Sequence, residues 1–198
     1  MRGLIEKIYA KRLEKSLKKE NLPKSVMVVT DFPSLKRNFE KFLQFIDWCR
    51  KFSIENVVIC VDSLDNNFVN NFSKLETEVE LIGKNGVRKF GKGLPKVYVN
   101  VGITGKEEIL LAVKEILKKN NLSEIDLNSI ERMIEENLRF KIQPDLIIKA
   151  DDSVPEFLIW QIVYSELYFI DADWESFRYI DFLRCLRDYQ RRERRYGR

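Results

Sequence analysis

"PDLIIKADDSVPEFLIWQIVYSELYFID", residues 144–171, is the stretch that decides the fold. "PDLIIKA" is a short apolar run entered from a proline, the pattern of a strand buried on both faces. A loop from Lys149 to Glu156 follows, and the spacing then predicts an aromatic helix over 156–167. A strand that passes through a loop into a helix is a natural anion site, because helix N-termini present free N–H groups. Yet this loop sets one lysine, Lys149, against Asp151, Asp152 and Glu156. A phosphate-shaped junction lined with carboxylates needs an explanation from the rest of the chain.

Outward from it, "SVMVVTD" (25–31), "NVVICVDS" (56–63), "VELIG" (79–83) and "KVYVNVG" (96–102) are further strands. The last two are separated by a Gly- and Lys-rich turn. Helices are expected over 3–20, with Leu4, Ile5, Ile8, Leu13 and Leu17 along one side, and from about Ser34, with Leu35, Phe39, Phe42, Ile46 and Cys49 at helical spacing. "KEEILLAVKEILKK" and "LNSIERMIEENLRF" are two more, the first opened by a capping box between Thr104 and Glu107. A long final helix runs into the C-terminus. The segment from Leu64 to Glu76 has no clear pattern. Strands alternating with helices predict an α/β fold, a single domain over 1–198 with a mostly parallel central sheet flanked by helices. In such sheets ligands bind beyond the carboxyl ends of the strands. Thr30–Asp31 and Lys149–Ala150 are the two ends of interest.

Composition narrows the chemistry. The 198 residues are 44% hydrophobic and 33% charged, with no histidine. Ser–His and Cys–His catalysis are thereby excluded, and Cys49, Cys60 and Cys185 are too scattered for a structural zinc site. Acid–base or metal chemistry must rest on carboxylates, lysine or tyrosine. No apolar run approaches the ~20 residues of a membrane span, and charges interrupt every apolar cluster near the N-terminus, so a cytoplasmic protein is expected. The net charge of +4 is unevenly placed. Residues 184–198, "RCLRDYQRRERRYGR", carry seven arginines against Asp188 and Glu193, which leaves the remainder slightly acidic. A localised basic tail implies a localised anionic partner.

With these elements placed, the chain resembles the cis-prenyltransferases, the undecaprenyl and dehydrodolichyl diphosphate synthase family, over nearly its whole length. "VGITGKEEI" is similar to the family's V-G-Y-G-G-R-x-E-I segment, and "PDLIIK" to its P-D-L-x-I-R strand. "FLIWQIVYSELYFIDADW" is close to F-L-L-W-Q-x-x-Y-S-E-L-Y-F, and "YQRRERRYG" follows near the end. Residues 1–22 match the leading helix. The resemblance implies magnesium, two diphosphate sites and a hydrophobic tunnel for the growing chain.

Against that pattern the chain departs three times. Asp31 keeps the aspartate of the family's first motif, but Phe32-Pro33 replaces Gly-Asn, and Pro33 removes a backbone N–H. Lys36 or Arg37 could reach in only from a different spacing. Lys149 stands for the first arginine of the isopentenyl diphosphate site, without its bidentate fork. The tunnel region shrinks to "DSLDNNFVNNFSKLETEVE". What is kept is the dimer-interface segment, with Trp160, Tyr164, Glu166, Tyr168 and Phe169, and a C-terminal Arg195-Tyr196-Gly197 like the family's R-x-G, which reaches a partner's active site.

The implied reading is an accessory, non-catalytic subunit of the Nogo-B receptor type in a heteromeric enzyme making polyprenyl diphosphate for a glycosyl carrier lipid. Its catalytic homologue would form a heterodimer or heterotetramer with it and hold most of the magnesium. Asp31 and Lys149 would be a residual diphosphate site, and Asp31 and Glu166 the candidate metal ligands. The alternative is a divergent homodimeric, magnesium-dependent enzyme condensing isopentenyl diphosphate with an allylic diphosphate. Each candidate has a plainer reading as well. Asp31 can be a strand-end carboxylate, Glu166 an interface hydrogen-bond acceptor, the aromatics core, and the arginine tail a solvated helix end. A third reading is a binding protein for anionic lipid or nucleic acid through the tail, and a peripheral position at the membrane surface is a further expectation because the product would be a lipid. No nucleic-acid-binding motif accompanies the tail, and nucleic acid is not an expected partner.

Overall fold

The computed structural model describes residues 2–73, 75–119, 127–150, 155–170 and 174–192. Its centre is a sheet of seven strands in the order β4-β3-β5-β2-β1-β6-β7. The strands are β1 (Ser25–Val29), β2 (Asn56–Val61), β3 (Val79–Gly83), β4 (Gly86–Phe90), β5 (Lys96–Val101), β6 (Leu146–Lys149) and β7 (Glu166–Phe169). All neighbours run parallel except β4, which pairs antiparallel with β3 at one edge. The helices are α1 (Arg2–Ser16), α2 (Phe32–Arg37), α3 (Phe39–Lys51), α4 (Asn66–Phe72), α5 (Gly105–Lys119), α6 (Leu127–Asn137) and α7 (Tyr179–Arg191). This is a single α/β domain with a mostly parallel sheet between helical layers.

The unbroken apolar strands follow from that layering. Val26, Val28, Val57, Ile59, Leu146 and Ile148 face one layer, built by α1 to α4 and α7. Met27, Val58, Cys60 and Ile147 alternate to the other, against Phe140 and Leu158. Burying a Val or Ile side chain on either face contributes about 1.5–3 kcal/mol, and a buried polar residue there, Asn100, is held by hydrogen bonds to Ile103. Beyond the second face, α5 and α6 pack through Ala112, Ile116, Ile134 and Leu138. The capping box forms: Thr104 Oγ1 accepts from Glu107 N at 3.2 Å, and Glu107 Oε2 accepts from Thr104 N at 3.1 Å.

Four elements depart most from the sequence expectation. The aromatic helix over 156–167 does not form; turns occupy the segment up to Tyr164, and β7 follows. The open edge of β6 recruits Glu166–Phe169 as a parallel strand, so Leu167 and Tyr168 project to opposite faces. In the turn, Leu158 is buried at φ 55°, a left-handed conformation no helix accommodates. The helix expected from Ser34 begins earlier, at Phe32, and divides into α2 and α3 at Asn38. The patternless 64–76 stretch contains α4, with Asp65 Oδ1 accepting from Asn67 N at 2.9 Å and Phe68, Val69 and Phe72 buried. The Gly- and Lys-rich turn carries β4, whose exposed residues gave no alternation to read.

Candidate functional site

The carboxyl ends of β1 and β6 open into a cleft of about 310 Å³ lined by Thr30, Asp31, Ser34, Lys149, Ala150 and Trp174, among others. The strand register sets it up, because β1 and β6 are adjacent and parallel with Val28 opposite Ile148. Asp31 and Lys149 therefore reach the same end of the sheet although 118 positions separate them in the sequence. Lys149 is 7% exposed. The remainder of the acidic loop, Asp151 and Asp152 included, lies outside the described residues, as do Arg195, Tyr196 and Gly197.

Asp31 is the N-cap of α2. Its Oδ1 accepts from Ser34 N at 2.7 Å and its Oδ2 from Ser34 Oγ at 3.1 Å. Pro33 sits in the first helical turn, where its missing N–H costs nothing. Arg37 approaches the same cluster, with Nη2 3.5 Å from Ser34 Oγ, while Lys36 lies 5.7 Å from the Phe32 ring centroid. Asp62, not singled out from the sequence, also serves this turn: its Oδ1 accepts from Phe32 N at 2.8 Å. The signal was present, since β1 and β2 run into "VVTD" and "ICVD", two strand ends each closing on aspartate. Trp174 adds an indole N–H that is buried with no acceptor among the described residues.

Glu166 is elsewhere. It opens β7 opposite Leu146, which itself pairs with Val26, five residues before Asp31. At the rise of a strand that is roughly 15 Å from Asp31 along the sheet. Arg192 Nη1 holds its carboxylate at 2.9 Å. Within one chain, then, the two candidate metal ligands are not brought together. Among the described residues no three His, Cys, Asp or Glu side chains gather to hold a metal ion. Asp31 still has lone pairs outside its capping bonds. One carboxylate with phosphate oxygens and water suits magnesium carried by a diphosphate, so the cleft fits a substrate-borne ion and not a protein cage.

The interface aromatics divide. Trp160 is half-buried against the α5–α6 pair, and Tyr168 packs on the larger core, where burial first, then Cys185 and Asp188, push its hydroxyl up to about 12. Tyr164 and Phe169 are exposed, with Ile159 and Val163 beside them in sequence. Phe169 lies on the edge strand β7, and the other three lie in the turn that leads into it. Behind that turn the carboxylate of Glu108 is buried. It accepts from Phe140 N at 2.7 Å and from Gln161 Nε2 at 3.1 Å, and burial raises its pKa against the pull of those bonds.

Between β2 and β3 the only described helix is α4. Phe68 meets Phe32 at 5.4 Å and Phe39 at 5.1 Å between ring centroids, and Phe72 meets Phe39 at 5.6 Å and Phe42 at 6.3 Å, mostly edge to face.

The cleft sets one cation and one carboxylate at the carboxyl ends of a mostly parallel α/β sheet, where such folds bind ligands. The sequence model described as "Putative undecaprenyl diphosphate synthase" matches residues 67–197, about two thirds of the chain. The chain is 33% identical to the tritrans,polycis-undecaprenyl-diphosphate synthase (geranylgeranyl-diphosphate specific) of Methanocaldococcus jannaschii, across 96% of this chain and 88% of that one. It is 28% identical to an isoprenyl transferase of Thermus thermophilus, across 96% and 95%. The crystal structure of lavandulyl diphosphate synthase from Lavandula x intermedia shares the fold, with a TM-score of 0.66 at 18% identity over 90% of this chain and 100% of that one. The chain belongs to the cis-prenyltransferase family, that of the undecaprenyl diphosphate synthases.

Proposed function

We propose that this chain works in prenyl diphosphate synthesis as a divergent cis-prenyltransferase that condenses isopentenyl diphosphate with an allylic diphosphate and makes short products. The observation that carries the reading is the meeting of Asp31 and Lys149 in one cleft at the carboxyl ends of β1 and β6. Its full-length relatives bear the names of prenyl diphosphate synthases and isoprenyl transferases. Lys149 supplies positive charge for a diphosphate, and Trp174 supplies an indole donor that lacks an acceptor among the described residues. In the condensation the allylic C–O bond breaks and diphosphate leaves with the bonding electrons, the isopentenyl double bond supplies the electrons of the new C–C bond, and loss of a proton from C2 of the isopentenyl unit restores a double bond. Magnesium, when bound, offsets the charge of that leaving group. Asp31 would be the cleft residue that meets it, and the phenyl cluster of Phe32, Phe39, Phe68 and Phe72 would limit the length of the hydrocarbon. Two such chains would associate through the β7 flank.

A second reading, the accessory subunit of a heteromeric synthase, is favoured by a specific feature. Both carboxylate oxygens of Asp31 already cap α2, and Lys149 is the sole cation among the described residues lining the cleft. In that arrangement the partner holds the diphosphates and magnesium, and Arg195, Tyr196 and Gly197 act in the partner's site. The deciding experiment is incorporation of radiolabelled isopentenyl diphosphate with magnesium and farnesyl diphosphate. Turnover by the purified chain is the expected result. Silence alone, with turnover only beside a catalytic homologue, would replace the first reading by the second.

A further inference from the structure

α1 has two dissimilar apolar sides. Ala10 and Leu13 turn toward the core, and the adjoining acids are tied down there: Glu6 pairs with Arg178 at 3.1 Å, and Glu14 pairs with Lys51 at 2.8 Å and accepts from the Tyr179 hydroxyl at 2.9 Å. The outer side carries Ile5, Ile8, Arg12 and Lys15 at the i, i+3, i+7, i+10 spacing of a single helical stripe. Ile5 is 67% exposed and Ile8 61%. Lys7, Lys11, Arg12 and Lys15 are all exposed, and no acid pairs with any of them among the described residues. The fold thus neutralises the helix's acids inwardly and leaves two isoleucines among four cations facing out.

We propose that this outer face of α1 docks the protein on an anionic phospholipid surface. Isoleucines bracketed by lysines are what an interfacial helix presents: the apolar side chains enter the headgroup boundary while the cations meet lipid phosphates. Charge complementarity argues for this occupant over the others. A second copy seated on the face by two-fold symmetry would set like charges against each other. A nucleic acid would use the cations but has no need of exposed isoleucines. Of the arginines of α7, Arg184 and Arg187 are already paired with Asp181 and Asp188, which leaves Arg191 exposed in its last turn. Docking by α1 goes beyond the synthase reading and does not depend on it.

The test is co-sedimentation of the full-length protein with vesicles of phosphatidylcholine alone or mixed with phosphatidylglycerol. Binding to the mixed vesicles is expected to exceed binding to neutral ones by about tenfold or more and to fall with salt. Ile5→Ser with Ile8→Ser, and separately Lys11→Glu with Lys15→Glu, should each reduce binding about tenfold. Both pairs should leave circular dichroism and the unfolding midpoint unchanged, because these side chains face solvent. Equal binding to neutral and anionic vesicles would overturn the proposal. So would loss of binding only when arginines of 194–198 are removed. An unaltered isoleucine variant, with a polynucleotide competing for the same protein, would also overturn it and give the face to nucleic acid.

Discussion

Asp31 closes on Ser34 with both carboxylate oxygens, one on its backbone N–H and one on its hydroxyl, and so begins α2 at the mouth of the cleft. The same side chain thus has a structural task that explains its presence without any ligand. Asparagine can perform that task and alanine cannot. Asp31→Ala is expected to cost about 1 kcal/mol of stability, and Asp31→Asn only a few tenths. If the charge also serves a magnesium diphosphate, Asp31→Asn will lose condensation activity while unfolding at nearly the wild-type urea concentration. Full activity in the asparagine variant would reduce Asp31 to a cap.

Lys149 offers the cleft a buried cation. A hydrogen bond to a charged group contributes about 1.5–3 kcal/mol, so Lys149→Met should raise the KM for isopentenyl diphosphate by about tenfold or more. The methionine keeps the length of the side chain and its packing. Steady-state kinetics with an unchanged KM would move the diphosphate away from this strand end.

Phe68, which the proposed function sets at the limit of the hydrocarbon, packs against Phe32, Phe39 and Phe72. Removing a buried phenyl ring generally costs about 3–5 kcal/mol, and Phe68→Leu is the safer variant for folding. Either replacement should lengthen the products seen by thin-layer chromatography of the dephosphorylated chains. Products of unaltered length would show that the cluster is packing alone.

Glu108 makes stability depend on pH in a direction that can be worked out. Burial raises its folded pKa above the reference of 4.5, so the native state keeps a proton that the unfolded chain has lost. Stability from this group is therefore present in acid and declines as pH rises from 4.5 through the folded value. Glu108→Gln removes the decline. Urea unfolding should find the variant no less stable at about pH 4 and more stable at about pH 8. A variant weaker at the higher pH would mean that the hydrogen bonds from Phe140 N and Gln161 outweigh desolvation of the ionised group.

The β7 flank predicts association. Val163 and Phe169 are exposed beside an unpaired strand edge, an arrangement that invites a second chain. Phe169→Asp should shift the mass seen by light scattering toward the monomer without lowering the unfolding midpoint. An unchanged mass would place any interface elsewhere.

Local pattern was enough for much of this architecture. Five of the strands announce themselves as largely apolar runs, β1, β2 and β6 nearly continuous and β3 and β5 interrupted by Glu80 and Asn100, because a strand covered on both faces buries most of its side chains. Thr104 and Glu107 could be read as a capping box because both partners lie within one helical turn. The family followed from long motifs in order, and those motifs include residues such as Glu108 and Gln161 whose burial explains their chemistry.

Tertiary structure decided the rest, and the reason is the same in each case. "FLIWQIVYSELYF" has the apolar content of a helix, but the open edge of β6 offers backbone partners that no local pattern encodes, and its end becomes β7. "GVRKF" becomes β4 only because β3 supplies the ladder. The sequence offered Asp31 and Lys149 as two strand ends and Asp31 and Glu166 as candidate metal ligands; strand register joins the first pair in one cleft and, within one chain, sets Glu166 at the opposite end of its strand. The sequence alone determines which segments must be buried and on how many faces. Which residues then meet depends on strand order and register, which are set by contacts between segments far apart in the chain.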